Sequence, residues 1–172
     1  MEYKLTTYKE LEWYIINETE KEKLLLLRDS LTNEQITKYF LEKAMVDFKY
    51  CVKFNDKQSP WWDESYIQKI LNTRFLSDLD KNDLYQMKTT LELNGERRIV
   101  EDYVRLLTYK EAKDLPLEIR KTERDWGYWT MSPYSFSGSY ACVFGVYGSG
   151  NPGNLNAWNV NNSGAVRPVI SL

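Results

Sequence analysis

The chain has 172 residues, 42% hydrophobic and 15% aromatic, enough for one domain to bury roughly two thirds of its unfolded surface, which excludes a disordered or disulfide-dependent class. A net charge of −2 and an isoelectric point near 5.4 exclude a global attraction to nucleic acid, which would require a local basic patch. Histidine is absent, and with it the commonest general base, triad partner and metal ligand.

The first residues, MEYKLTTYKELEW, lack the basic start and apolar core of a secretory signal, and no apolar run approaches the ~18 residues of a membrane span. LEWYIIN and KLLLLRDSL are apolar runs of strand length on either side of the polar ETEKEK, which predicts a hairpin with a long connection. In LTNEQITKYFLEKAM, Thr32 and Gln35 form a capping box and Ile36, Tyr39 and Phe40 recur at helical spacing. WWDESYIQKILNTRFL sets Ile67, Ile70, Leu71 and Phe75 on one helical stripe, with acids at its start. A short helix is predicted from Asp80 towards Gln86. Asn94-Gly95, between apolar runs, is the strongest hairpin signal, and Thr108 with Glu111 predicts a brief helix ending before Pro116.

Composition changes near Asp125: only Gly95 precedes it, and every other glycine follows. The chain therefore reads as a helix-rich part over about 1–125 and a loop- and strand-rich part over about 126–172. WGYWTMSP predicts a strand that stops at Pro133, SYACVFGVYG a second, and NAWNVNNSGAVRPVISL two runs pairing across NNSG. Pro168, without an amide hydrogen, predicts an edge or a bulge in the final strand.

Basic residues Arg97 and Arg98, and Arg120, Lys121 and Arg124, sit among acids and read as solvated faces rather than a binding patch. Cys51 and Cys142 lie in apolar company, which suits buried thiols, with a single bridge as the alternative. The GSGNPG stretch is neither a phosphate loop nor a dinucleotide fingerprint. Asp63, Glu64, Glu12 and Asp125 neighbour tryptophans, where a carboxyl can have a raised pKa, although adjacent residues on a helix point to different sides. Trp13, Trp126 and Trp129 read as core, and Trp61 and Trp62 as one buried and one exposed.

Asn151, Asn154, Asn156, Asn159, Asn161 and Asn162 crowd around Trp158. With Tyr134, Tyr140, Tyr147 and Trp158 they would make a recognition surface of rigid rings and adaptable amides. Equally, they would satisfy turns. A calcium site built here would lack anionic ligands. No cofactor or metal is expected.

The order of an early Glu12-Trp13 strand, a helix with Trp62, Ser65, Ile67, Leu71, Asn72 and Phe75, then Leu106, Leu107 and Glu111, then Trp129, Ser132 and Pro133, and finally Val166, Arg167 and Pro168 resembles a bacterial and prophage protein family. That family's fold is similar to the formylglycine-generating-enzyme type of the C-type lectin-like fold. Gln68 stands where such proteins usually carry an arginine, Thr130 and Met131 where they carry a Leu-Arg pair, and Ala165 where a glycine is common. The resemblance implies an α+β domain over 1–172, with small twisted antiparallel sheets, packed helices and long loops on one ligand-facing side. In it, one sheet would carry both YWTMSP and VRPVISL.

Catalytic members of that fold use two closely spaced cysteines near the C-terminus; this chain offers Cys142 alone there, so no enzyme activity is carried over. The expected function is a non-enzymatic binding module, phage or prophage encoded, for a protein or glycan ligand, located in the host cytoplasm or on the phage particle, with neither nucleic acid nor membrane as partner. The alternatives are an intracellular inhibitor binding a host defence protein such as an antiviral nuclease, and an enzyme using carboxylates or Cys142.

Overall fold

The computed structural model describes residues 3–123, 126–138, 140–148 and 150–172. Arg124 and Asp125, singled out above for charge, lie outside them. The fold is mixed α and β, with several small antiparallel sheets and few helices.

Strand β1 (Leu5–Tyr8) turns through Lys9 and Glu10 into β2 (Leu11–Glu18). Both turn residues have positive φ, 50° and 61°, the conformation a two-residue hairpin needs, adopted here without glycine. The expected second hairpin joins β2 to β3 (Lys23–Leu27). All of Leu25, Leu26 and Leu27 are buried because β3 is interior: Leu25 and Leu27 enter one apolar cluster, and Leu26 enters another behind the sheet.

Helix α1 (Asn33–Tyr39) carries the predicted capping box in full. After the short β4 (Val52–Lys53), Trp61 and Trp62 are both buried, against the expectation of one exposed; the ring of Trp61 lies beneath the Arg98 guanidinium, 4.2 Å away. Helix α2 (Tyr66–Ile70) continues through a π turn at Leu71–Phe75, and Ile67, Ile70, Leu71 and Phe75 all face the core as their spacing predicts. The π turn aims Asn72 at the next strands, where its Oδ1 accepts from the amides of Tyr103 and Val104, both at 3.1 Å. The helix expected from Asp80 is a single 3-10 turn, Lys81–Asp83, capped by the Asp80 side chain.

Strands β5 (Met87–Leu93) and β6 (Glu96–Asp102) pair around Asn94 (φ 52°) and Gly95 (φ 80°), as expected. Strand β7 (Val104–Arg105) leads to helix α3 (Tyr109–Asp114), whose capping box uses Thr108 and Glu111. Burial works to raise the Glu111 carboxyl, but two 2.7 Å bonds from Arg105 more than reverse it, and it is held below the usual range. A further helix, α4 (Leu117–Arg120), falls in the stretch read as a solvated face.

Strand β8 (Tyr128–Ser137) does not stop at Pro133: it runs through the proline, absorbing it with register shifts on both sides. It pairs with β9 (Tyr140–Val146), which pairs with β10 (Leu155–Asn159) in a three-stranded sheet. The predicted pairing across NNSG does not form. Instead β11 (Ser163–Gly164) pairs with β4, and β12 (Val169–Ser171) lies between β3 and β7 in the five-stranded sheet β1-β2-β3-β12-β7. Pro168 therefore marks neither an edge nor a bulge. It sits just before an interior strand, where its carbonyl accepts from the Leu27 amide at 2.9 Å and its missing donor interrupts no ladder. Because β12 completes a sheet begun by residues 5–27, the compositional change near 125 is not a structural boundary. YWTMSP and VRPVISL, expected in one sheet, occupy two, linked by a parallel bridge between Tyr128 and Ala165. Among the described residues no helix is long and apolar enough to cross a membrane.

Arg167 is fully enclosed. Its Nε donates to the Leu27 carbonyl (2.9 Å), Nη2 to that of Arg28 (2.7 Å), and Nη1 to Ile119 (2.8 Å), Arg120 (3.3 Å) and the Tyr128 hydroxyl (3.3 Å). The Ile119 and Arg120 carbonyls end α4, where no helical partner exists, so the guanidinium supplies donors the helix lacks. Arg167→Lys cannot reach this set of acceptors and should destabilise the fold by about 3 kcal/mol, read from the urea unfolding midpoint.

Asp102 is also buried, and it accepts only neutral donors: the Trp62 indole and the Gln68 amide, each at 2.8 Å. Burial raises its pKa. Its folded-state contribution is therefore full at low pH and is lost as pH rises through the raised value. Gln68→Arg would place a cation at that carboxylate, so the stability gap between variant and wild type should widen in the variant's favour as pH climbs from 4 to about 7 in a series of urea melts.

Candidate functional site

Strand β9 is the middle of the three-stranded sheet, and directly opposed residues share a face. Trp158 opposes Val143 and points towards the main core, and Asn156, opposite Gly145, lies on the same side but exposed. Asn159 opposes Cys142 and Ala157 opposes Phe144, so these take the other side, the side on which Val146 and Leu155 enter the second apolar cluster. The predicted site is thus split by the sheet. Tyr147, Asn156 and Trp158 come together on one side: the Tyr147 and Trp158 ring centroids are 5.8 Å apart, and the Asn156 amide donates to the Tyr147 hydroxyl at 2.6 Å. Tyr134 and Tyr140, 51% and 59% exposed, belong with the other side. Tyr134 packs edge-on against Phe144 (4.9 Å), and the Cys142 thiol beside Tyr140 raises its phenol.

The asparagines divide in the same way between ring support and turn formation. The Asn159 side chain accepts from the Asn161 amide at 2.9 Å, an Asx turn. Asn151 and Asn154 are exposed on a loop closed by backbone bonds: Tyr147 N to Asn154 O (2.8 Å), Gly153 N to Tyr147 O (2.8 Å) and Asn154 N to Asn151 O (3.1 Å). Asn161 is exposed at the next turn. The Gly/Asn segment is fastened at both ends.

Trp158 is held by close approach rather than by polar bonds. A Cβ at Gly145 would stand 2.4 Å from its indole and one at Gly127 2.3 Å, so both glycines are flat backbone beneath the ring. The edge of Trp158 meets Trp129 at 5.3 Å, and the Trp129 indole nitrogen donates to the Val52 carbonyl at 2.8 Å.

The remaining edge of Trp158 opens into a cleft of about 400 Å³, whose lining includes Asp47, Lys49, Trp126, Tyr147, Trp158 and Asn162. Trp126, expected in the core, is 37% exposed here, because it precedes β8 and meets the Lys49 ammonium at 4.2 Å instead of an apolar partner. Lys49 belongs to a tight loop closed by a bridge between Val46 and Val52. Asp47 organises that loop: its Oδ1 accepts from the Lys49 (2.8 Å) and Cys51 (3.0 Å) amides, and its carbonyl from the Tyr50 amide (3.1 Å). Tyr50 adopts a φ of 59°. Sequence reasoning missed this loop, although an aspartate two residues before an amide donor in a run of aromatics is an Asx-turn signal. A larger hollow, about 640 Å³, lies by the Lys9–Glu10 turn, where Lys38 and Tyr39 both bind Asp78.

The carboxylates considered for catalysis are engaged elsewhere. Asp63 and Glu64 bind Arg98 at 3.2 and 2.8 Å, and Glu12 binds Arg28 at 2.6 Å. Against the expectation for an acid beside tryptophan, hydrogen bonds from Ser59 and Arg98 lower the Glu64 pKa. Cys51 and Cys142 are both buried, and no disulfide occurs among the described residues. No group of three acidic or sulfur side chains suited to a metal occurs among them either. Arg97 and Arg98 pair with Glu92 and with Asp63, Glu64 and Glu96.

Comparison with protein-family models, with characterised proteins and with solved structures finds no match for this chain.

Gly145→Ala should displace Trp158 and destabilise the fold by about 1–3 kcal/mol, with a changed near-ultraviolet circular dichroism band. Tyr140→Ala, outside the packed core, should change neither by a measurable amount.

Proposed function

We propose that the chain is a non-enzymatic recognition module of the formylglycine-generating-enzyme type of the C-type lectin-like fold, binding a protein or glycan ligand through the cleft and the turns beside it. The reading rests on one observation: an indole pinned on glycine backbone, with Trp126 and Tyr147 at its rim, lines a concavity with Asn162 and Ser163 as polar partners. Rings held this way lose little freedom on binding, and amides and hydroxyls set the orientation of what rests on them. Polar loops closed by backbone bonds and joined to sheet strands support that fold assignment.

The test is a binding screen over glycan and peptide arrays followed by titration of the hits. Tyr147→Ala and Asn162→Ala should weaken any ligand about tenfold or more at unchanged melting temperature, and Tyr134→Ala, on the opposite face, should leave affinity intact. Equal affinities across all three variants would refute the cleft as the site.

A further inference from the structure

Phe48 is 87% exposed, more than any other large apolar side chain described, and it stands at the tip of the loop that forms one wall of the cleft. Its order owes nothing to its own packing. The loop is held by the Asp47 carboxylate, by the Asp47–Cys51 and Tyr50–Asp47 backbone bonds, and by the strand bridge at its base. A rigid loop therefore carries an apolar ring in water, where it contributes nothing to the fold.

Beside it, the Lys49 ammonium lies 5.5 Å from the Phe48 ring and 4.2 Å from the Trp126 ring. Lys53 faces the same way as the cleft-lining Ser163, which it directly opposes across β4 and β11. Among the described residues no ion pair holds either lysine. Among the described residues that line the cleft Asp47 is the only acid, and one of its oxygens is already taken by two amides. The rim is therefore cationic and apolar at once.

We propose that this face docks an acidic segment of a partner protein: an apolar socket on the partner takes Phe48, its carboxylates meet Lys49 and Lys53, and one of its side chains enters the cleft between Trp126 and Trp158. The proposal rests on the recognition reading and narrows it from protein or glycan to protein. The deciding feature is the adjacency of a projecting ring and a concavity. A sugar can fill the concavity but has no socket for an exposed phenyl ring, and a folded or folding peptide surface can supply both.

The experiment uses the full chain with three defined probes: dodecapeptides combining Asp and Glu with Leu and Phe, the same peptides with Lys in place of the acids, and oligogalacturonate as an acidic glycan. Acidic peptides should bind and their lysine counterparts should not. Phe48→Ser should weaken the acidic peptides about tenfold or more, and Lys49→Glu should reverse the charge preference, both at unchanged melting temperature. Binding of oligogalacturonate without peptide binding overturns the proposal and leaves the cleft reading standing. So does loss of peptide affinity on Tyr147→Ala with none on Phe48→Ser. Failure of every acidic peptide to bind also overturns it.

Discussion

The enclosed guanidinium of Arg167 is the constraint on which the rest of this structure depends. A buried cation is tolerable only where polar atoms replace its water, and here the replacements come from three separate stretches of chain: the end of β3, the end of α4 and the start of β8. Burial pushes the Tyr128 phenol up, so it stays neutral, accepts from Arg167 and donates its own hydrogen bond to the Arg120 carbonyl at 2.7 Å. The charge is thus met by dipoles rather than by a carboxylate, an arrangement that binds three elements at once instead of one partner.

That anchoring reaches the candidate site through two residues. Tyr128 opens β8, and the chain beside it is zipped to the segment before Arg167: the Ala165 amide donates to Gly127 at 2.8 Å, and the Trp129 amide to Ala165 at 3.2 Å. Gly127 is then fixed as one of the two flat surfaces beneath Trp158, and Trp126 is set at the cleft mouth. The same arginine that secures the C-terminal strand therefore positions the rings that a ligand would meet. In this way the Gly/Asn segment becomes a shaped surface: its turns are closed by backbone bonds, and its one tryptophan is locked between strands.

The asparagines show how a compositional signal mixes two causes. Asn159 is occupied in an Asx turn, whereas Asn156 steadies Tyr147 and Asn162 lines the cleft. Turn-making and ring support use the same amide chemistry, so composition cannot separate them. Position relative to the strands does.

By itself the sequence determined the elements whose causes lie within a few residues. The capping boxes at Thr32 and Thr108, the Asn94-Gly95 turn and the stripe of Ile67, Ile70, Leu71 and Phe75 were all legible, because a cap, a left-handed turn and a helical face are local interactions. Only the tertiary structure decided that β12 would lie between β3 and β7, because a short apolar strand pairs wherever both its faces can be buried, and that choice is made by residues more than sixty positions away. It alone also decided that Tyr134 and Tyr147 would part company and that Trp126 would face water. The register shifts around Pro133 break the two-residue alternation by which a face is counted, so no spacing in the chain could reveal which side of the sheet each ring would take.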